Sequence, residues 1–164
     1  MSNSESDASI RRRALVPKDQ CPMALAAEIL GDRWTLLILR EAFYGVQRYD
    51  DMRADLDAPR SMLSDRLARL VAAGIMTRRA YQEPGERERH AYALTASGRA
   101  LALTLSALTQ WGEAHILEEP APVGIIDVST GEELRVAFVN NAGKSVEPGK
   151  ARLAKREGSG RWTR

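Results

Sequence analysis

The sequence predicts an α+β protein, and three observations carry that prediction. Apolar residues recur at helical spacing through residues 21–74, residues 75–95 alternate as two short strands around the turn EPGER, and a further helical stripe begins at Leu101. The chain has 164 residues, of which 44% are hydrophobic. That composition supports one modest domain but not two full-sized ones.

Composition excludes several classes of function. The 24 Lys and Arg nearly balance the 22 Asp and Glu, and the formal charge of +2 is too small for a purely electrostatic binder of polyanions. The longest stretch without a charged residue, residues 100–112, is too short to span a membrane. The first 20 residues lack the apolar core of a secretory signal, so we expect a cytoplasmic protein without a membrane partner.

Cysteine and histidine are too few to staple the fold. Cys21 is the single cysteine, and His90 and His115 are distant from it along the chain. We therefore expect no disulfide framework, no metal site and no cofactor.

Three segments differ in composition. Residues 1–20 are predicted to form a flexible N-terminal arm, residues 21–117 a patterned domain, and residues 118–164 a small β-rich extension with a mobile tail. In the extension, residues 123–128 and 134–139 are predicted to be two strands joined by a turn. Four basic residues of the tail are candidates for contacts with DNA or another partner: Lys155, Arg156, Arg161 and Arg164.

Four helices are predicted at the start of the domain. Pro22 suits the first turn of a helix that ends at Gly31, and Asp32 can cap a second helix that runs to Gly45. A short third helix ends before Pro59, where a fourth begins and continues to Gly74. Only the residues DAP separate the third helix from the fourth, which is a helix-turn-helix arrangement.

The fourth helix has an apolar and a polar face. Leu63, Leu67 and Leu70 align towards a core, whereas small and polar residues face outward. The outward face suits a DNA groove, because serine hydroxyls bond phosphates or bases and arginine can bond guanine with two N–H groups. The candidate DNA-binding residues of this helix are Arg60, Ser61, Ser64, Asp65 and Arg69. An ordinary solvated face would show the same pattern.

The hairpin that follows carries three arginines at or beside its tip: Arg79, Arg87 and Arg89. A basic hairpin directly after a helix-turn-helix is the plan of a winged helix, whose recognition helix enters the major groove while the wing follows the phosphate backbone. The alternative is an exposed hairpin whose arginines pair with its interleaved glutamates.

The last predicted helix has a wider apolar surface than one small core can cover. Its stripe consists of Leu101, Leu105, Leu108 and Trp111. We predict a homodimer through this helix. Such a dimer would place two recognition helices about 34 Å apart, as an inverted repeat in double-stranded operator DNA requires.

Several motifs, in this order, resemble the HxlR-type winged helix-turn-helix regulators, relatives of the MarR group. The motifs are Cys21-Pro22, GDRWTLLILRE from Gly31, RLxxL from Arg66 and YxLTxxG from Tyr92. The resemblance spans about residues 21–112. It implies a bacterial, dimeric transcriptional regulator that binds operator DNA with the fourth helix and the wing.

Asp65 departs from the resembled family, in which a polar amide often occupies the recognition helix. A carboxylate can accept a hydrogen bond from cytosine N4, but it repels a nearby phosphate. We therefore expect an operator that differs from those of relatives.

Cys21 is the candidate redox-sensing residue. It precedes Pro22 at a predicted helix N-terminus, where the helix dipole favours a thiolate. In several members of the resembled family a cysteine at this place senses oxidants or electrophiles. The alternative role is a small hydrophobe of the core. Trp34 and Trp111 are candidates for a pocket that binds a small-molecule effector, but their helical spacing favours core positions.

The predicted function is a sequence-specific DNA-binding regulator that acts as a homodimer and responds to an oxidant or another effector. The alternative is a winged-helix module that binds protein partners and no DNA; the salt dependence of DNA affinity separates the two. We do not expect an enzyme, because a Cys21 nucleophile needs a nearby base and both histidines lie far along the chain.

Overall fold

The computed structural model describes residues 16–154 and residue 158. The helices are α1 Pro22–Leu30, α2 Arg33–Phe43, α3 Tyr49–Asp55, α4 Arg60–Ala72, α5 Ala96–Ala100 and α6 Ala102–His115. The strands are β1 Met76–Tyr81, β2 Arg89–Leu94, β3 Phe138–Val139 and β4 Ser145–Val146. Most of the predicted N-terminal arm and the four basic tail residues lie outside the described residues.

Local signals place the helix boundaries. Asp32 is the N-cap of α2, and its Oδ1 accepts hydrogen bonds from the amides of Trp34 and Thr35, both at 3.1 Å. Gly45 and Gly74 follow α2 and α4 with φ of 89° and 69°, a conformation that glycine adopts at little cost. The predicted ends of both helices are confirmed.

The core lies between α2, α3, α4 and the first strand. Its fully buried side chains include Ile38, Leu39, Met52 and Met76, together with the leucines that were predicted to face inward from α4: Leu63, Leu67 and Leu70. Because these leucines pack into the core, the opposite face of α4 is exposed to solvent.

β1 and β2 form the wing as an antiparallel hairpin, in which Met76 pairs with Leu94 and Tyr81 with Arg89. The amide of Tyr92 donates to the carbonyl of Gln47 at 2.7 Å, so the loop before α3 joins the base of the wing. This contact ties the wing to the helix-turn-helix.

No helix in residues 16–154 is long and apolar enough to cross a bilayer.

The prediction of strands over residues 123–128 and 134–139 holds only for Phe138 and Val139, which form β3. Elsewhere the two segments meet at one bridge, between Ile126 and Glu133, where the Leu134 amide donates to the Ile125 carbonyl at 2.7 Å.

The Val136 amide donates to Gln110 Oε1 at 2.9 Å, and Gln110 Nε2 donates to the Val136 carbonyl at 3.1 Å. Because Gln110 of α6 bonds both the amide and the carbonyl of Val136, residue 136 does not pair with residues 123–128. The strand β3 pairs with β4 instead.

Candidate nucleic-acid interface

An open groove of about 630 Å³ separates α4 from the wing. Its helical side is lined by Tyr49 and Asp50 of α3 and by Arg60, Ser64 and Ala68 of α4. Its wing side is lined by Arg78, Arg87, Glu88, Arg89, His90 and Tyr92. The helix-turn-helix and the hairpin thus form one surface.

Cations predominate in this groove. Within the described ranges, Arg60, Arg78 and Arg87 are not ion-paired with a carboxylate. Arg89 differs, because its guanidinium lies 3.3 Å from Asp50 and 3.0 Å from Glu86. The alternative interpretation, in which the arginines of the hairpin pair with carboxylates, therefore holds for Arg89 but not for Arg87.

Strand alternation separates Arg78 from Arg79. Met76 is buried and Arg78 lines the groove, so Arg79 lies on the other face of the wing with Tyr81. The sequence pattern pointed to Arg79, and Arg78 was missed. The spacing of two from the buried Met76 was the signal that distinguishes the two arginines.

Tyr49 is a second site residue that was missed from the sequence. Its hydroxyl donates to the carbonyl of Arg60 at 3.1 Å and lies 3.1 Å from Ser64 Oγ. The first residue of α3 thereby holds the first turn of α4 and engages the serine that faces the groove.

The other outward residues of α4 form a strip beside the groove. Ser61, Asp65 and Arg69 are exposed but do not line the groove. Asp65 Oδ2 lies 3.1 Å from Arg69 Nε and also accepts a hydrogen bond from Arg66. The strip is therefore an ordered cluster of charges.

Arg66 continues this cluster to α2, since its Nε donates to Asp32 Oδ1 at 3.0 Å. Partial burial raises the pKa of Asp32, but hydrogen bonds from Thr35 and Arg66 outweigh burial and hold the pKa below its ordinary value. Asp32 is thus stabilised as a carboxylate between the two helices.

A second surface, formed by α1 and α6, is apolar. Neither α1 nor α6 contains a buried residue. The predicted stripe of α6 divides: Leu101 and Leu105 pack partly on the core, whereas Leu108 and Trp111 are exposed. The expectation that Trp111 lies in the core is wrong for the single chain, in which the side chain is 57% exposed.

Cys21 is the N-cap of α1 and is partly exposed. Trp34 is partly buried against the core, and the Arg33 guanidinium lies 4.9 Å from its ring centroid. The described residues contain no group of three His, Cys, Asp or Glu side chains that could hold a metal ion.

Comparisons with known proteins agree with this architecture. The family model described as HxlR-like helix-turn-helix matches residues 29–120. The uncharacterised HTH-type transcriptional regulator Rv3095 of Mycobacterium tuberculosis is 46% identical over 99 residues. The match covers 60% of this chain, and the chain spans 60% of the relative's length.

Two solved structures extend the comparison. The crystal structure of PA1607, described as a candidate transcription factor, is 29% identical with a TM-score of 0.71 and covers 83% of this chain and 95% of that chain. The redox regulator HypR in its oxidised form is 26% identical with a TM-score of 0.52 and covers 58% of this chain and 97% of that chain. The PA1607 match is long enough to include part of the C-terminal extension.

Proposed function

Because this chain belongs to the HxlR-like helix-turn-helix family of transcriptional regulators, we propose that it binds a specific sequence of double-stranded DNA as a homodimer. The observation that carries the proposal is the groove between α4 and the wing, where Arg60, Arg78 and Arg87 are not ion-paired within the part of the chain that the structure describes. Guanidiniums without a carboxylate partner suit contacts with the phosphate backbone, and Arg78 is held at the groove by His90, whose Nε2 lies 2.5 Å from Arg78 Nη2.

The two sides of the groove take different roles. α4 enters the major groove, where Arg69 and the small outward residues meet base edges. Arg87 of the wing tip and Arg60 at the start of α4 contact phosphates. Arg89 anchors the wing, because Asp50 and Glu86 already occupy its guanidinium.

The dimer is supported by the apolar surfaces of α1 and α6. Met23 of α1 is 77% exposed, and Leu103, Leu108 and Trp111 of α6 are exposed as well. A second copy of the chain removes these side chains from water, which is favourable in proportion to the apolar area that it covers. It also pairs the two recognition helices for an inverted repeat.

Selection from a random duplex pool tests the proposal without knowledge of the operator. We expect the purified protein to enrich one sequence with inverted symmetry. Fluorescence anisotropy should then show a preference for that duplex over a scrambled one, and an affinity that falls steeply with salt. Enrichment of no sequence, with weak and salt-insensitive binding, would instead support the module that binds only protein partners.

We further propose that oxidation of Cys21 releases the DNA. The supporting observations are the partial exposure of Cys21 at the start of α1 and the similarity to the redox regulator HypR. With one cysteine per chain, a disulfide must join two copies or capture a small thiol. Diamide should release DNA from the wild type but not from Cys21→Ser; equal release from both would eliminate Cys21 as the sensor.

A further inference from the structure

We propose that Asp65 is a positioning residue, which holds Arg69 in the orientation that contacts a base. The inference rests on the proposed function and adds a specificity determinant to it. Asp65 Oδ2 lies 3.1 Å from Arg69 Nε, one helical turn away on the exposed strip of α4. The sequence alone assigns Asp65 a direct contact with cytosine, whereas this geometry assigns it a contact with Arg69.

The contact leaves the two terminal nitrogens of the Arg69 guanidinium available. The ion-pair distance of 3.1 Å joins Asp65 Oδ2 to Nε, and in the described part of the chain neither terminal nitrogen donates a hydrogen bond, so both can meet acceptors such as guanine O6 and N7. The Arg69 side chain is 69% exposed, so without a partner it would sample many rotamers. Holding the side chain before DNA arrives reduces the entropy that base contact must overcome.

Asp65 is itself held from the other side. Arg66 donates to the same Oδ2 through Nη1, and through Nε it donates to Asp32 Oδ1 at 3.0 Å. The Arg66 side chain is 23% exposed and therefore less free than Arg69. A chain of ion pairs thus runs from the N-cap of α2 to Arg69.

The same contacts reduce the repulsion between the Asp65 carboxylate and a nearby DNA phosphate. Two guanidiniums flank Asp65 and offset its charge at short range. Removing the carboxylate has two separable effects. Affinity for every duplex rises because a negative charge is removed, while discrimination falls because Arg69 no longer has its partner.

The test uses the duplex that the wild-type protein selects from a random pool, and a set in which each base pair of that duplex is replaced in turn. Anisotropy gives the preference at every position for wild type, Asp65→Ala, Arg69→Ala and the double variant. We expect Asp65→Ala to lower the preference about 2- to 10-fold at the position that depends on Arg69. In the Arg69→Ala background the same change should alter no preference.

Asp55→Ala is the matched control, because Asp55 is exposed at the end of α3, does not line the groove, and its removal deletes the same charge. It should change no preference at any position. Asp65→Glu keeps a carboxylate one helical turn from Arg69, so it should retain part of the preference that Asp65→Ala loses.

Three results would overturn the inference. A loss of preference that persists in the Arg69→Ala background would mean that Asp65 contacts a base itself. An Asp65→Ala variant with wild-type preference at every position would mean that Asp65 contributes only charge. A wild-type protein that selects no sequence would overturn the proposed function together with this inference. The first two results overturn only the inference, because in both of them the wild-type protein still selects a sequence.

Discussion

Arg66 Nε lies 3.0 Å from Asp32 Oδ1 and joins the recognition helix to the first turn of α2 across 34 positions of the chain. The same carboxylate caps α2 through the amides of Trp34 and Thr35. One side chain therefore both starts a core helix and orients the helix that is proposed to meet DNA.

Replacing Asp32 should destabilise the fold. Asp32→Ala removes the cap and the ion pair, and we expect the free energy of unfolding to fall by about 1–2 kcal/mol. Asp32→Asn keeps an N-cap oxygen but loses the charge opposite Arg66, so its destabilisation should be smaller. Urea denaturation followed by circular dichroism measures both.

The contribution of Asp32 should also depend on pH. Its pKa in the folded chain lies below the ordinary value, because hydrogen bonds from Thr35 and Arg66 outweigh the effect of burial. The stabilisation is therefore complete above the unfolded pKa of about 3.9 and is lost as pH falls through the folded pKa. The difference between wild type and Asp32→Asn should be constant from pH 7 to about 5 and shrink in stronger acid. A difference that grows in acid would contradict the assignment.

Gly98 should not tolerate alanine. A Cβ at this position would lie 2.2 Å from the carbonyl oxygen of Ile75, so α5 or the start of the wing must shift. We expect Gly98→Ala to cost about 1–3 kcal/mol. Gly112→Ala is the control within α6, where the added Cβ meets no atom within 4 Å and should stabilise the helix by about 1 kcal/mol.

Arg87 should contribute affinity without sequence preference. Its replacement by alanine leaves one phosphate per protomer without its cation, and the slope of log affinity against log salt should become shallower by about 0.9 for each such phosphate. Arg135→Ala is the matched control, since Arg135 lies in the extension and pairs with Glu133. A slope that both variants lower equally would place Arg87 away from DNA.

A charge on α6 should dissociate the dimer. Trp111→Glu places a carboxylate in the apolar surface proposed to meet the second copy, and sedimentation velocity should show a monomer. Tyr44→Glu is the control, because Tyr44 is 58% exposed at the C-terminal end of α2, against 57% for Trp111. If Trp111→Glu sediments as a wild-type dimer, the interface lies elsewhere.

Gln110 should hold the extension against α6. Gln110→Ala removes both hydrogen bonds to the main chain of Val136. We expect faster amide hydrogen exchange at Val136 and unchanged exchange in α4. Thr109→Ala, at the exposed neighbouring position, should leave the exchange of Val136 unaltered.

The helix-turn-helix and the wing were predictable because their signals are local. Asp32, Gly45 and Gly74 mark helix boundaries through capping and positive φ, and the leucines of α4 repeat at the helical period. The strands of the extension were predicted wrongly because Gln110, which bonds the main chain of Val136, is 26 positions away from it. A period-two pattern contains no information about a distant side chain that competes for main-chain hydrogen bonds.

By itself, the sequence determined the order of the first four helices and the wing, the inward face of α4 and the presence of outward arginines, since caps and periodicity act over a few residues. Only the tertiary structure decided which arginines line the groove and which are ion-paired with carboxylates. It placed Arg78 rather than Arg79 in the groove, paired Arg89 with Asp50, and joined Asp65 to Arg69 within a cluster that reaches Asp32. Whether a charge is available to DNA depends on neighbours that packing brings together from separate elements.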